Sequence, residues 1–434
     1  MSPASRSKRR GSKLPAASPS LEAQTERRLE DEFGALVEPR YIERGTRAYR
    51  STMLALFSAG FATFALLYCV QPLMPVLSDA FAIDAARSSL VLSVSTATLA
   101  LGLLVTGPIS DAVGRKQVMS VSLLAAALFT LLGALMPSWG GVLAMRALVG
   151  LSLAGLAAVA MTYLGEEVSP RALGVSMGLY IGGNAIGGMS GRLISGVLVD
   201  FISWRATLMV LGAVSLVSAL AFIRMLPPSR NFSPRRLDPR TLQDGFVRHF
   251  RDPGLPWLFL QSFLLMGGFV TLFNYLGYRL LGAPYGYSQS VVGLISVVYL
   301  SGIYSSAWGG ALADRLGRPR VFWWFVALML AGLALTLSTP IVVVFAGVLL
   351  FTFGFFAAHS TASSWVGKRA PVARAQASSL YLFNYYLGSS LAGTSGGFFW
   401  HLAGWPGVAG FIAALLLVAL LVAWFKLHAL REGV

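Results

Sequence analysis

Charge is scarce in this chain. Lysine, arginine, aspartate and glutamate together make up 12% of its 434 residues, about half the ~25% of a typical soluble domain. With 56% hydrophobic residues, too little polar surface is left to wrap a soluble body of this size. Cysteine is nearly absent. The single Cys69 excludes an internal disulfide and reads as a small apolar core residue. Four scattered histidines and no His-Glu-x-x-His exclude a typical zinc site. No Gly-x-x-x-x-Gly-Lys-Ser/Thr loop is present, which excludes an ATP-driven pump of the usual kind. No catalytic residue, metal or cofactor is therefore expected, and no enzyme reading survives. The first fifty residues lack an apolar core of the signal-peptide type, so no cleavable signal is expected.

What the chain has instead is apolar runs near twenty residues long. A helix of that length, at about 1.5 Å per residue, crosses a hydrocarbon layer of roughly 30 Å. Runs at roughly 51–77, 88–109, 117–137, 139–162, 173–198 and 206–226 form a first set. Runs at roughly 254–282, 289–312, 320–338, 341–365, 375–399 and 406–426 form a second. The expected organisation is a mostly disordered basic tail at 1–50 and a six-helix bundle at 51–226. A polar linker at 227–253, a second bundle at 254–426 and a short tail at 427–434 complete it. The formal net charge of +16 does not signal nucleic acid, because the charges sit between the apolar runs and not on a basic folded face. Placing the N-terminus in the cytoplasm puts 29 of the 34 lysines and arginines on the cytoplasmic side. That bias sets orientation in membranes. The expectation is a multi-pass bacterial inner-membrane protein with both termini cytoplasmic.

The two sets of runs repeat each other. Gly107-Pro-Ile-Ser-Asp111-Ala-Val-Gly114-Arg115-Lys116 follows the second run, and Gly310-Ala-Leu-Ala-Asp314-Arg-Leu-Gly317-Arg318 follows the eighth, at an offset of 203. Leu179-Tyr180 and Leu380-Tyr381, Gly187 and Gly388, and Trp204 and Trp405 recur at an offset of 201. Duplicated halves with a binding site between them are a transporter pattern.

The loop Gly-x-x-x-Asp-x-x-Gly-Arg-Lys resembles the signature loop of the major facilitator superfamily, and the resemblance covers about residues 50–430. The strings Ala65-Leu-Leu-Tyr-Cys-Val-Gln-Pro72 and Met189-Ser-Gly-Arg-Leu-Ile-Ser-Gly196 are similar to the YnfM-type inner-membrane transporters within it, a subgroup described as efflux carriers. The resemblance implies an all-α membrane protein. Twelve transmembrane helices would form two pseudo-symmetric six-helix bundles around a central cavity bordered by helices 1, 4, 7 and 10. It implies secondary transport of a small organic solute, most simply proton-coupled efflux of a drug-like or sugar-like compound by a monomer in the bilayer. A proton-linked or facilitated nutrient importer is the alternative, and a non-transporting sensor with this fold the remote one.

Candidate residues follow from cost. A guanidinium at membrane depth faces a partner or a cavity. Arg146, in the fourth run, is thus either a proton-coupling or substrate-orienting group, as the resemblance implies, or a buried hydrogen-bond hub. Tyr180, Asn184, Gly188 and Arg192 recur every four residues and share one helix face. They read as a polar lining or as glycine packing with Arg192 reaching the interface. This fifth run matches the family's antiporter motif only in part, with Gly188 where that motif has proline. Asn274, Tyr275, Tyr278, Tyr381 and Asn384 are softer substrate candidates. His359 is a possible proton carrier or a neutral hydrogen-bonding group. Asp111 with Arg115 and Lys116, and Asp314 with Arg318, suit gating charge pairs or topological anchors. The first run contains no acid, so Glu166 and Glu167, at the end of the fourth, are the nearest carboxylate candidates for a proton or for pairing with the loop arginines.

Overall fold

The computed structural model describes residues 41–428, apart from 233 and 235–238. Most of the two expected tails lies outside them. Most apolar runs become helices, several of them started by a capping polar residue and stopped at a proline or glycine. Thr46 caps α1 (Arg47–Tyr68), accepting from the Tyr49 amide at 3.1 Å. The expected run 51–77 ends early, at Tyr68, because Pro72 has no N–H to offer the Tyr68 carbonyl and its ring would clash there. Five residues of turn then lead into a separate short helix, α2 (Met74–Phe81). Asp84 caps α3 (Ala85–Val113), Ser138 caps α5 (Trp139–Glu167), and Ser203 caps α7 (Trp204–Met225). Between them lie α4 (Arg115–Leu135) and α6 (Pro170–Phe201), which starts on a proline. The polar break expected at 227–253 holds one further helix, α8 (Pro239–Arg251).

The second half runs through α9 (Leu255–Leu281) and α10 (Gln289–Leu294), the latter continuing by a tighter turn into α11 (Tyr299–Leu316). Then come α12 (Arg318–Leu335), α13 (Ile341–Arg369) and α14 (Arg374–Val422). The last is two expected runs joined at a bend, where Ala403 (φ −147°) and Gly404 (φ 59°) leave the helical region just before Pro406. Among the described residues ten helices are long and apolar enough to cross a membrane. One of the ten contains this bend, and α6, 32 residues long but glycine-rich, lies outside that count.

The two signature loops adopt one geometry. Gly114 (φ 118°) and Gly317 (φ 87°) each form the one-residue link between antiparallel helices in a conformation that side chains resist. The two faces of the molecule differ in charge. One carries these loops and the α5–α6, α7–α9 and α13–α14 connections, and is rich in lysine and arginine. The other carries Arg87, Arg205 and Arg279.

Helix pairing is duplicated down to single contacts. On α6, Gly183, Gly187 and Gly191 lie against the backbone of α1 at Phe57, Phe61 and Ala65. On α14, Gly388 lies against the backbone of α9 at Phe263 in the same way. One contact is mirrored with its partners exchanged. Gly191 meets Ala65 in the first half, and Gly267 meets Ala392 in the second. Small residues let helix backbones approach where lipid supplies no hydrophobic drive between them.

Candidate functional site

The halves are joined along a seam that lies towards the charge-poor face. There α3 packs on α14 and α6 packs on α10. Thr394 and Ser93 hydroxyls bond at 2.7 Å, and Ser78 and Tyr278 hydroxyls at 2.8 Å. Asp200, at the end of α6, accepts from the Gln289 and Ser290 amides and from the Ser290 hydroxyl, at 3.1, 2.8 and 2.5 Å. A carboxylate at a helix N-terminus is well placed against the positive end of the helix dipole. Gly196 on Gly293, and Gly397 on Ala86, bring the backbones of the two halves into contact.

Deeper in the seam lies a polar centre. Gln71, from the turn after α1, donates through Nε2 to Asn274 Oδ1 of α9 at 2.7 Å. Its Oε1 accepts from Arg192 Nε at 2.5 Å, and Arg192 Nη1 donates to the Gly188 carbonyl at 2.7 Å. The guanidinium lies over the rings of Tyr68 and Tyr299, at 4.1 and 4.6 Å from their centroids. Arg192, Asn274 and Tyr299 are all buried, and the Tyr299 hydroxyl and the second amide atom of Asn274 have no hydrogen-bond partner.

Of the face Tyr180–Asn184–Gly188–Arg192, Tyr180 and Asn184 pack beside Gly60 of α1, while Gly188 lies next to Arg192 and Tyr68. Tyr381 bonds His359 Nδ1 at 3.0 Å, and the ring of Tyr385 lies 4.7 Å from that imidazole. Asn384 donates to its own helix at Leu380. The Tyr275 hydroxyl donates to the Gly393 carbonyl.

Arg146 is placed differently from Arg192. Its Nη1, Nη2 and Nε donate to the carbonyls of Leu66, Leu67 and Val91 at 2.9, 2.9 and 3.1 Å. Leu66 and Leu67 belong to the last turn of α1, where carbonyls lack helical partners. The arginine thus clamps a helix C-terminus, whose dipole favours a cation, and ties it to α3.

At the charge-rich face, Arg115 holds Glu166 through two bonds, of 2.7 and 3.0 Å, and pairs with Asp111 at 2.5 Å. Lys116 donates to the Leu226 carbonyl. Glu167 is buried and accepts from the Arg230 and Asn231 amides, at 2.8 and 2.9 Å, so it fastens the chain beyond α7. In the second half Arg318 pairs with Asp314 at 2.8 Å, and Lys368 reaches the same aspartate at 3.3 Å. Lys368 occupies the place that Glu166 has in the first half. Gly107 and Gly310 sit inside helices with open space or a single loose contact beside them, so the tight turn falls to Gly114 and Gly317 alone.

The sequence matches the profile of the Major Facilitator Superfamily over residues 56–393 and 280–433. The chain belongs to the major facilitator superfamily. It is 59% identical to the inner membrane transport protein YnfM of Escherichia coli over 382 residues, spanning 88% of this chain and 92% of that one. It is 47% identical to the uncharacterized MFS-type transporter YybF of Bacillus subtilis, over 88% of this chain and 94% of that one. Among solved structures it resembles a bacterial homologue of the human lysosomal transporter Spinster, with a TM-score of 0.71 at 16% identity, covering 88% of this chain and 96% of that one. The nucleoside transporter NupG matches with a TM-score of 0.70 at 16% identity, covering 86% and 99%. The protein is a secondary transporter of the inner membrane, not an enzyme. For this transporter, residue-type reasoning overlooked Gln71, Tyr68 and Tyr299. Gln71 carried a signal, as the one amide in an apolar run just before a proline.

Proposed function

We propose that this transporter is a proton-coupled exporter of a small organic solute. It works by alternating access, with the charge-rich face in the cytoplasm and one chain as the working unit. The observation that carries the reading is the polar centre of Arg192, Gln71 and Asn274, drawn from both halves and sealed from the charge-poor face by the hydrogen bonds above it. A site shared by two rocking halves is remade each time they move, which is what alternating access requires. The sealed charge-poor end supports loading from the charge-rich side. The stacked rings of Phe269, Phe355 and His359 favour a drug-like body over a sugar-like one. Two groups are suited to hold the proton. His359, in the half of α13 nearer the charge-rich face, is hydrogen-bonded to Tyr381, and Glu166 is bound to Arg115 at the loading face. Tyr180, Asn184, Tyr275, Tyr278, Asn384 and Glu167 would position helices around the site and not touch the solute.

Facilitated transport without a proton is a second reading. It is favoured by the ion pairs among the described residues, which place every paired carboxylate at the ends of helices or beyond them. Everted vesicles separate the two. An imposed pH gradient should drive solute uptake and be dissipated by it. Solute flux indifferent to the gradient would remove the proton, and flux only in right-side-out vesicles would reverse the direction.

A further inference from the structure

Two arginines, Arg146 and Arg192, are buried in mid-helix in the first half, and they differ in one respect. Arg146 has all three of its nitrogens on backbone carbonyls, two of them at the negative end of a helix. Arg192 has one amide oxygen and one carbonyl. Its Nη2 has no hydrogen-bond partner among the described residues, and no described carboxylate lies within 4.0 Å of it. A cation at membrane depth is costly without a counter-charge or good hydrogen bonds. The rings of Tyr68 and Tyr299 offset part of that cost and supply no acceptor to Nη2. The buried hydroxyl of Tyr299, whose ring lies 4.6 Å from the guanidinium, is also without a partner, and so is the second amide atom of Asn274. These are donors in want of acceptors, around a charge in want of its opposite.

We infer that Arg192 is the anion-binding group of the transport site, and that the solute is an aromatic organic acid bound through its carboxylate. The inference rests on the transport reading above and names its substrate class. The carboxylate accepts from Arg192 Nη2 and the Tyr299 hydroxyl. The ring of the acid lies against the aromatic side chains on α9, α11 and α13, where Phe273 and Tyr299 are 5.2 Å apart. Energetics agree with export. An anion leaving a cell that is negative inside moves down the membrane potential, so outward transport of this class needs no buried carboxylate to drive it.

The test uses the full-length protein in detergent and follows thermal unfolding with 1-naphthoate, 1-naphthamide and 1-naphthylmethylamine, three probes of one shape and different charge. The wild type should bind the carboxylate at least about tenfold more tightly than the amide, the low end of what a charged hydrogen bond contributes. Arg192→Gln should erase that preference, and Arg192→Lys should keep part of it. Tyr299→Phe should weaken carboxylate binding severalfold while leaving the ligand-free melting temperature unchanged, which guards against Arg192→Gln failing to fold. Equal or tighter binding of the amide or the amine overturns the inference. So does no carboxylate binding, or a carboxylate preference that survives Arg192→Gln. Carboxylate binding without gradient-driven flux in everted vesicles would sink proton coupling and leave this site standing.

Discussion

Exchanging a glycine between two helices tests whether the halves are built from one packing unit. In the first half the glycine sits on α6 (Gly191) and the alanine on α1 (Ala65). In the second the glycine sits on α9 (Gly267) and the alanine on α14 (Ala392). A Cβ added at Gly267 would lie 2.8 Å from the Ala392 Cβ, where ordinary contact begins at 3.4 Å. The helices would have to part by more than half an ångström. Overpacking of this kind costs about 1–3 kcal/mol. Some of that is returned by the better helix propensity of alanine, worth up to about 1 kcal/mol. Gly267→Ala should therefore lower the unfolding temperature in detergent. Gly182→Ala, where nothing lies within 4 Å, should not lower it and supplies the propensity control. The decisive variant is Gly267→Ala with Ala392→Gly, which recreates the arrangement of the first half and should recover most of the loss. The comparison is made at one heating rate, since unfolding of such proteins is commonly irreversible. A double variant no more stable than Gly267→Ala alone would refute the duplicated packing unit.

Other outcomes follow from single contacts. Gly187→Ala and Gly388→Ala, whose added Cβ would clash with the backbone carbonyl oxygens of Phe61 and Phe263, should destabilise by similar amounts, read as matched drops in unfolding temperature. Arg146→Ala should cost at least about 1–3 kcal/mol by leaving buried carbonyls of two helices without their shared donor and should reduce the yield of monodisperse protein; a well-folded variant that has lost only transport would contradict the clamp. Glu166→Gln should cost about 1 kcal/mol or less, because the pair is partly open to solvent, and a double-mutant cycle with Arg115→Gln measures the coupling. Asp252 lies outside the membrane segments, between α8 and α9. Burial pushes its carboxyl up, but the bond from Arg369 at 2.6 Å and the amides of Gly254 and Leu255 more than offset this and hold it below its usual range. Its folded pKa is thus depressed. The stability it contributes is present above the ordinary value of about 3.9 and lost as the pH falls through the lower folded value. Unfolding temperatures of wild type and Asp252→Asn should converge in strong acid and diverge at neutral pH; curves parallel throughout would refute the shift.

The fold was legible because hydrophobic length is the one requirement a bilayer imposes on every helix, and because a duplicated loop is visible without coordinates. What was not legible depends on three-dimensional partners. Pro72 shows why a long apolar run such as 51–77 can still contain a helix end. Arg146 and Arg192 look alike as charges in apolar text. Only the carbonyls of Leu66, Leu67 and Val91 distinguish a clamp from a group still lacking an acceptor. Tyr68 and Tyr299 lie far apart in the chain and meet at one guanidinium. Period-four spacing put Tyr180, Asn184 and Arg192 on one face and could not say which of them packs on α1 and which reaches Gln71.

The places where the repeat fails are as informative as those where it holds. Helices α5 and α13 are both 29 residues long and align at an offset of 202, which sets Arg146 opposite Val348 and Glu166 opposite Lys368. The offset of 201 between α6 and α14 sets Arg192 opposite Gly393. Packing positions such as Gly187 and Gly388 are preserved between the halves, and so are Arg115 and Arg318 at the helix starts, while the guanidiniums buried in mid-helix among the described residues, Arg146 and Arg192, belong to the first half only. Two symmetric halves need matching surfaces to rock against each other, so packing stays duplicated. A single solute bound between them has only one charged end to hold. One half can therefore carry the cation, and the other the aromatic wall of Phe269, Phe273 and Tyr299. With the proposed site at Arg192, charge recognition falls to the first half and body recognition to the second. Substitutions at Arg192 should accordingly change which charge class is bound, and substitutions at Phe273 should change which ring sizes are accepted.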